Sequence, residues 1–337
     1  MTDSTLNPDN VLGVSSSQAT GELRLDMKLL YDSLELGIKP RLDITWREWN
    51  FGPSEGESDT DTEAFIYEWH FRYRFTDRLF AFYGLENLQW GPSFLTSPSN
   101  PFIPFNGKNN PYLEVPGLDY AKINWIVNST WSAQLIANTD DGRLDSVKPF
   151  QKVYAGKVDF VGIGSYGSII VSHREDGPTR LGGYAGISIS DATLGYFEAD
   201  VDDNSYVRAL IGASYTFFDG STVAMEYYYN GDGCRASEIQ FCFPPYGETV
   251  PGQPLYLTNY GFIQYINNEF ITPSLELALR GTINFDDQSS LLTAIANYEI
   301  GNHMELFSVA DWYTGSEGDE FGSILKYSIM GGIRLTY

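Results

Sequence analysis

Residues 34–47 alternate without a break. Leu34, Leu36, Ile38, Pro40, Leu42, Ile44 and Trp46 fall on one face, and Glu35, Gly37, Lys39, Arg41, Asp43, Thr45 and Arg47 on the other. A period of two belongs to a β-strand, whose successive side chains point to opposite sides. The run covers 14 residues (34 to 47), whereas an ordinary strand has about five or six. A strand of about ten residues or more, apolar on one face and charged on the other, fits a tilted crossing of a bilayer. The pattern recurs in 22–31, where Leu23, Leu25, Met27, Leu29 and Tyr31 oppose Glu22, Arg24, Asp26 and Lys28. It recurs in 65–75, where Phe65, Tyr67, Trp69, Phe71, Tyr73 and Phe75 oppose Ile66, Glu68, His70, Arg72 and Arg74. A soluble sandwich also alternates, but its strands are short and its polar face meets bulk water.

Similar segments follow to the end of the chain, and their connections tend to alternate short and long. Tyr31-Asp-Ser, Phe75-Thr-Asp-Arg, Asn128-Ser-Thr and Phe218-Asp-Gly-Ser are short, while 49–63, 91–116, 140–151, 231–254 and 314–322 are long. Short turns on one side and long loops on the other are the mark of an outer-membrane barrel. The expected fold is all-β: one antiparallel transmembrane barrel of 16–18 strands, with short periplasmic turns and long extracellular loops. Eighteen is favoured, with the segment around Val11–Ser17 as the first strand. Residues 1–10 are expected to be a flexible lead and 11–337 the barrel. Residues 1–10 have neither the basic start nor the apolar stretch of a signal peptide. Met1 therefore reads either as an added start on a mature chain or as a truncated gene product.

Composition enters as exclusion. With 44 acidic against 21 basic residues the net charge is −23, which argues against nucleic acid as a partner. No run of 18 apolar residues exists, so no helix is expected to cross a membrane. Two cysteines and three histidines give no four-cysteine zinc site and little histidine for a metal. No metal or other cofactor is expected, and no nucleophile elbow, phosphate loop or zincin motif is present. Asp200, Asp202, Asp203 and Asn204 lack the spacing of a calcium loop and read as a solvated turn.

Three features suggest function. Segment 90–117 is rich in proline and aromatics. Proline blocks strand pairing while aromatic rings seek burial, so this loop is expected either to fold into the barrel mouth as a constriction or to pack over the rim. Its candidate residues are Pro98, Phe102, Phe105, Lys108 and Tyr112. Second, Cys234 and Cys242 share one long loop and are expected to pair in an oxidising compartment, stiffening an exposed loop. Third, polar strand faces carry Arg24, Lys39, Arg41, Arg47, Arg72, Arg74, Lys122, Arg280, Lys326 and Arg334. In a narrow pore these form either a positive track for anions or a ladder of cross-strand ion pairs.

The chain ends on an alternating strand, with Leu325, Tyr327, Ile329, Gly331, Ile333, Leu335 and Tyr337 on one face. A terminal aromatic on such a strand resembles the closing strand of Gram-negative outer-membrane barrels. That resemblance implies Tyr337 as an assembly signal, with the barrel assembly machinery and outer-membrane lipid as partners. The basic face makes the chain loosely similar to the alginate-export group of barrels. Together these readings imply a non-enzymatic outer-membrane channel for hydrophilic, anionic solutes such as acidic sugars or polysaccharide. The alternatives are a non-conducting structural barrel, or an outer-membrane hydrolase at the extracellular rim using His173 beside Glu175 and Asp176.

Overall fold

The computed structural model describes residues 7–103, 117–142, 150–235, 242 and 255–336. Its first strands are β1 (Ser17–Arg24), β2 (Met27–Tyr31), β3 (Leu34–Glu48), β4 (Ser58–Thr76) and β5 (Leu79–Glu86). Beyond the long loop come β6 (Leu118–Ile126), β7 (Trp131–Asp140), β8 (Val153–Gly162), β9 (Ser165–Arg174), β10 (Thr179–Ser188), β11 (Thr193–Asp202), β12 (Val207–Thr216) and β13 (Thr222–Asn230). The last are β14 (Asn259–Asn267), β15 (Leu275–Asn284), β16 (Ser290–Ile300), β17 (Met304–Thr314) and β18 (Tyr327–Leu335). All 18 belong to one antiparallel, barrel-like sheet, and from β3 onward each strand pairs with the next in sequence. No ladder joins β18 to the β1–β2 edge among the described residues.

The count of 18 is reached differently from the expectation. Val11–Ser17 does not form a first strand. Instead β1 and β2 lie end to end along one edge of β3, in a single register that runs from Ser17 opposite Glu48 to Tyr31 opposite Leu34. The break falls at Leu25–Asp26, and Pro40 explains it. Leu25 N–H donates to the Pro40 carbonyl at 3.2 Å, but proline has no N–H to return the bond. The orphaned Leu25 carbonyl accepts from Arg41 Nη1 at 3.0 Å instead. Pro40 also sits at the bulge between β3 and β4, where the register slips by one residue. That slip corrects the expected faces. Phe65 and Tyr67 turn to the lumen, where the Arg41 guanidinium lies 5.3 Å from the Tyr67 ring centre, and Ile66 turns to the outside.

Elsewhere the alternation holds. Ile169, Ile187, Ile211, Ile329 and Ile333 are exposed on the outer face, as lipid contact requires. Trp125, Trp131 and Phe217 ring the short-turn end, and Trp46, Trp312 and Tyr327 the long-loop end, the two interfacial girdles of a membrane barrel. Of the expected flexible lead, residues 1–6 lie outside the described residues. Asn7 and Asn10 are buried; Asn7 Nδ2 donates to Asn10 Oδ1, and Asn10 Nδ2 donates to the Val14 and Phe51 carbonyls.

Candidate channel constriction

The loop after β5 turns into the barrel. Ser93, Leu95, Thr96, Ser97, Ser99, Asn100, Phe102 and Ile103 are all buried. Leu95 joins Tyr196, Leu210, Tyr228, Leu255, Leu257, Tyr260 and Phe262 in one apolar cluster. Phe102 and Ile103 join Leu118, Tyr120, Ile136, Val153 and Ala155 in a second. Both clusters sit on the inner faces of β6–β14, so the loop is seated against that side of the barrel.

Two buried carboxylates hold it there. Glu198, the sixth of ten residues in β11, accepts from Ser93 Oγ at 3.1 Å, from Ser99 N at 3.1 Å, from Ser99 Oγ at 2.7 Å and from Ser97 Oγ. Glu226, the fifth of nine residues in β13, accepts from Phe94 N at 2.7 Å, Leu95 N at 2.8 Å and Tyr196 OH at 2.7 Å. Ionised carboxylates are acceptors only, with room for about four donors; here they face donors alone. Loop carbonyls are held in turn: Arg208 Nη2 donates to Pro98 O at 3.0 Å and Arg174 Nη2 to Pro101 O at 3.2 Å. Gly91 lies so close that a Cβ there would meet Glu198 Oε2 at 2.4 Å, and its φ of +83° suits glycine. The Pro98 and Phe102 positions thus belong to a loop folded into the lumen. Phe105, Lys108 and Tyr112 lie outside the described residues, as does Tyr337.

The expected lumen cations separate by burial. The Arg41 side chain is 5% exposed and bound to Asp26 and the Leu25 carbonyl; it completes the wall. Lys122 is 10% exposed, paired with Glu86, with its ammonium 3.8 Å from the Phe82 ring centre. Arg280 donates to Gln264 at 2.7 Å, and Lys326 to the Gly315 carbonyl at 2.8 Å. Others stay wet. The exposed fraction is 56% for the Lys28 side chain, 46% for Arg72 and 40% for Arg334. Lys28, Arg72 and His70 share Glu35, Lys39 pairs with Glu68, Arg24 with Glu22 and Arg334 with Glu305. Arg47 and Arg74 make no ion pair among the described residues. The two readings of the basic face therefore both have members: a ladder of ion pairs, and cations that still reach the lumen water.

Cys234 and Cys242 are bridged, with 5.5 Å between Cα atoms. The bridge packs against the Leu95 cluster instead of standing free in an exposed loop. His173 faces outward at the top of β9, its Nδ1 3.1 Å from the Thr179 hydroxyl, away from the lumen. Asp200 is taken by Arg208 at 2.7 Å and Arg180 at 2.8 Å, and no acidic or histidine cluster among the described residues has the form of a metal site.

No protein-family model and no curated protein matches the chain. Solved structures do match in fold. OccAB1 of Acinetobacter baumannii aligns with a TM-score of 0.61 at 12% identity, over 96% of this chain and 91% of that one. OprD of Pseudomonas aeruginosa aligns at 0.57 and 9% identity, over 94% and 91%. Wzi of Escherichia coli, an outer-membrane carbohydrate-binding β-barrel involved in group 1 capsule assembly, aligns at 0.51 and 11% identity, over 96% and 85%. The chain has the fold of a porin-like outer-membrane β-barrel.

Proposed function

We propose that the protein is an outer-membrane channel for hydrophilic solutes, and that it favours anionic ones such as acidic sugars. The observation that carries this reading is the seating of the 87–103 loop. Glu198 and Glu226 hold it to the β6–β14 side, which leaves β15–β18 and β1–β5 as the wall beside any passage. From mid-height to the periplasmic end that wall presents Lys28, Lys39, Arg41, Arg72, Arg74, Arg280 and Arg334 against Asp26, Glu35, Glu68, Glu276, Glu299 and Glu305, seven cations to six acids. The surplus is small, but a narrow low-dielectric passage amplifies it. Guanidinium groups keep their charge at any working pH. Lipid around the outer face and recognition of Tyr337 by the assembly machinery complete the proposal. No enzymatic role is included, since His173 points away from the lumen.

Planar-bilayer recording tests it. The wild-type barrel should conduct with a reversal potential on the anion side. Changing Lys39, Arg72 and Arg74 together to Gln should move that potential toward cation preference. An unmoved potential in a folded, conducting variant would reduce the cations to wall structure and remove anion preference.

A further inference from the structure

The two edges of the sheet run in the same direction. β3 rises from the short turn at 32–33 to the long-loop end at Glu48. β1 and β2 descend beside it, from Ser17 opposite Glu48 to Tyr31 opposite Leu34. At the other edge β17 rises from Met304, just past a short turn, and β18 descends beside it, from Tyr327 opposite Trp312 to Leu335 opposite Met304. Because β1 and β2 share one row, the 18 strands make 17 rows, and an odd number of antiparallel rows leaves its two edges parallel. Among the described residues no Cα of β18 comes within 8 Å of one in β1 or β2. Neighbouring strands lie about 4.8 Å apart, so the opening is at least one strand wide. All eight residues of β1 and all five of β2 are exposed, on both faces.

Hydrocarbon offers no partner to the N–H and C=O groups that such edges turn outward. Closing the two edges on each other would make a parallel ladder, the weaker kind, in a class of barrel whose strand number is even. We propose that the opening is the seat of one more transmembrane strand, which rises from the periplasm and pairs antiparallel with β18 on one side and with β1 and β2 on the other. A second copy inserted in the same sense cannot supply it, since its own edges also descend. The occupant is the polypeptide immediately upstream of Asn7. The chain just after that point is fixed at the long-loop rim: Asn10 Nδ2 donates to the Phe51 carbonyl at 3.2 Å and the Trp49 indole N–H to the Gly13 carbonyl at 2.8 Å. A strand rising through the opening delivers the chain to that rim, beside the start of β1. Six residues reach about 20 Å when fully extended, short of the roughly nine to eleven residues of a crossing strand, so most of the strand is sequence ahead of Met1. The flanks of the opening set its pattern. Leu23, Leu25, Met27 and Leu29 on one side and Ile329 and Ile333 on the other are exposed on the lipid face. Glu22, Arg24 and Lys28, and Ser328 and Arg334 across the opening, take the opposite face. The strand therefore alternates apolar residues outward with polar residues inward.

The test compares the 337-residue chain with two versions extended ahead of Met1 by about ten residues. One extension alternates valine and threonine; the other replaces its two central residues with proline, which cannot complete a ladder. The alternating extension should raise the yield of heat-modifiable barrel above that of the 337-residue chain, and the proline extension should not. A cysteine scanned along the threonine positions should form a disulfide with Lys28→Cys in one variant and with Met330→Cys in another, because a strand seated between both edges brings its Cα atoms within the roughly 4.4–6.8 Å that a disulfide requires. In the 337-residue chain Lys28→Cys should form no disulfide with Ser328→Cys, Met330→Cys or Thr336→Cys, each tried in turn. Such a bond within one folded chain would overturn the proposal, since the edges would have closed on each other. The same bond between two chains would overturn it in favour of a second copy. Equal barrel yield from the two extensions would also overturn it, as would extension cysteines that reach neither edge or only one in a folded barrel.

Discussion

The two-carboxylate clamp makes the strongest demand on experiment. Glu226→Ala strands three donors: the N–H groups of Phe94 and Leu95, and the Tyr196 hydroxyl. An unmet buried donor costs roughly 1–3 kcal/mol, so the seated loop loses about 3–9 kcal/mol before water enters to relieve it. Glu198→Ala strands the N–H and hydroxyl of Ser99, whereas Ser97 Oγ retains the Trp90 carbonyl at 3.1 Å. Against this stand the burial of Leu95 and Phe102, each about 1.5–3 kcal/mol, and the two arginine bonds to loop carbonyls. The single changes should leave the loop seated for part of the time, and the double change should free it. Even ~3 kcal/mol moves the ratio of seated to free loop by about a hundredfold. The barrel itself should persist, because the cross-strand ladders do not depend on the loop. Single-channel recording should therefore show larger, noisier openings for Glu198→Ala/Glu226→Ala, while heat-modifiable gel mobility shows normal barrel. Wild-type conductance in a folded double variant would refute the reasoning: either the loop does not narrow the passage, or the carboxylates do not hold it.

Two further outcomes follow from the extracellular loops. Glu320, between β17 and β18, accepts from Tyr256 N at 2.6 Å, Tyr260 OH at 2.7 Å and Asn284 Nδ2 at 2.6 Å. Burial pushes its carboxyl up to about 7 despite these hydrogen bonds, so the docked loop favours the protonated form. Docking should be firmest at acid pH and weaken as pH rises through about 7. Hydrogen exchange at the Tyr256 amide, corrected for its intrinsic pH dependence, should show this, and Glu320→Gln should flatten it; an equal slope in the variant rejects the latch. For the disulfide, changing Cys234 and Cys242 to Ser should loosen only the mouth, since closing so short a loop is worth about 2–3 kcal/mol. Gel mobility should remain heat-modifiable, and a barrel that fails to form would show that the bridge supports the wall.

The sheet was legible because period-two alternation reports directly on which face meets lipid. It failed where a local event changes the count. Pro40 removes one ladder bond and a bulge at Tyr67 adds one residue, so a tally of alternating positions placed Phe65, Ile66 and Tyr67 on the wrong faces. The first strand was misplaced for a related reason: sequence shows where a strand alternates, not that its ladder breaks at Leu25 and resumes on the same partner. The inward loop announced itself through proline and aromatic content, but its anchors did not. Glu198 and Glu226 look like any acid on a polar strand face. The available signal was their isolation in Tyr196-Phe-Glu-Ala and Ala224-Met-Glu-Tyr, together with the run Ser97-Pro-Ser-Asn in the loop, whose hydroxyl and amide donors needed an acceptor.

Net charge is a poor guide to the charge a solute would meet in the proposed lumen, and the reason is structural. A chain at −23 should repel anions if its charge were spread evenly. It is not. Glu198 and Glu226 are consumed by the loop, Asp200 by Arg208 and Arg180, Glu320 by the mouth, and Asp59, Asp61 and Glu63 lie in the part of β4 nearest the long-loop end. Buried acids with committed donors contribute little to the field in the water beside the opposite wall, and exposed acids at the rim are screened within about 8–10 Å at ordinary ionic strength. A solute in the proposed passage would respond to the nearest unburied charges, among which Lys28, Arg72 and Arg334 are cations. Burial selects among those basic groups as well. Arg41, bound to a carbonyl that Pro40 orphaned, adds stiffness to the wall, whereas Lys28, Arg72 and Arg334 can still exchange an intramolecular carboxylate for one brought by a solute. On the proposed reading, selectivity would be set by which ion pairs are wet enough to open, and that depends on the register of the sheet and on the side to which the loop is clamped.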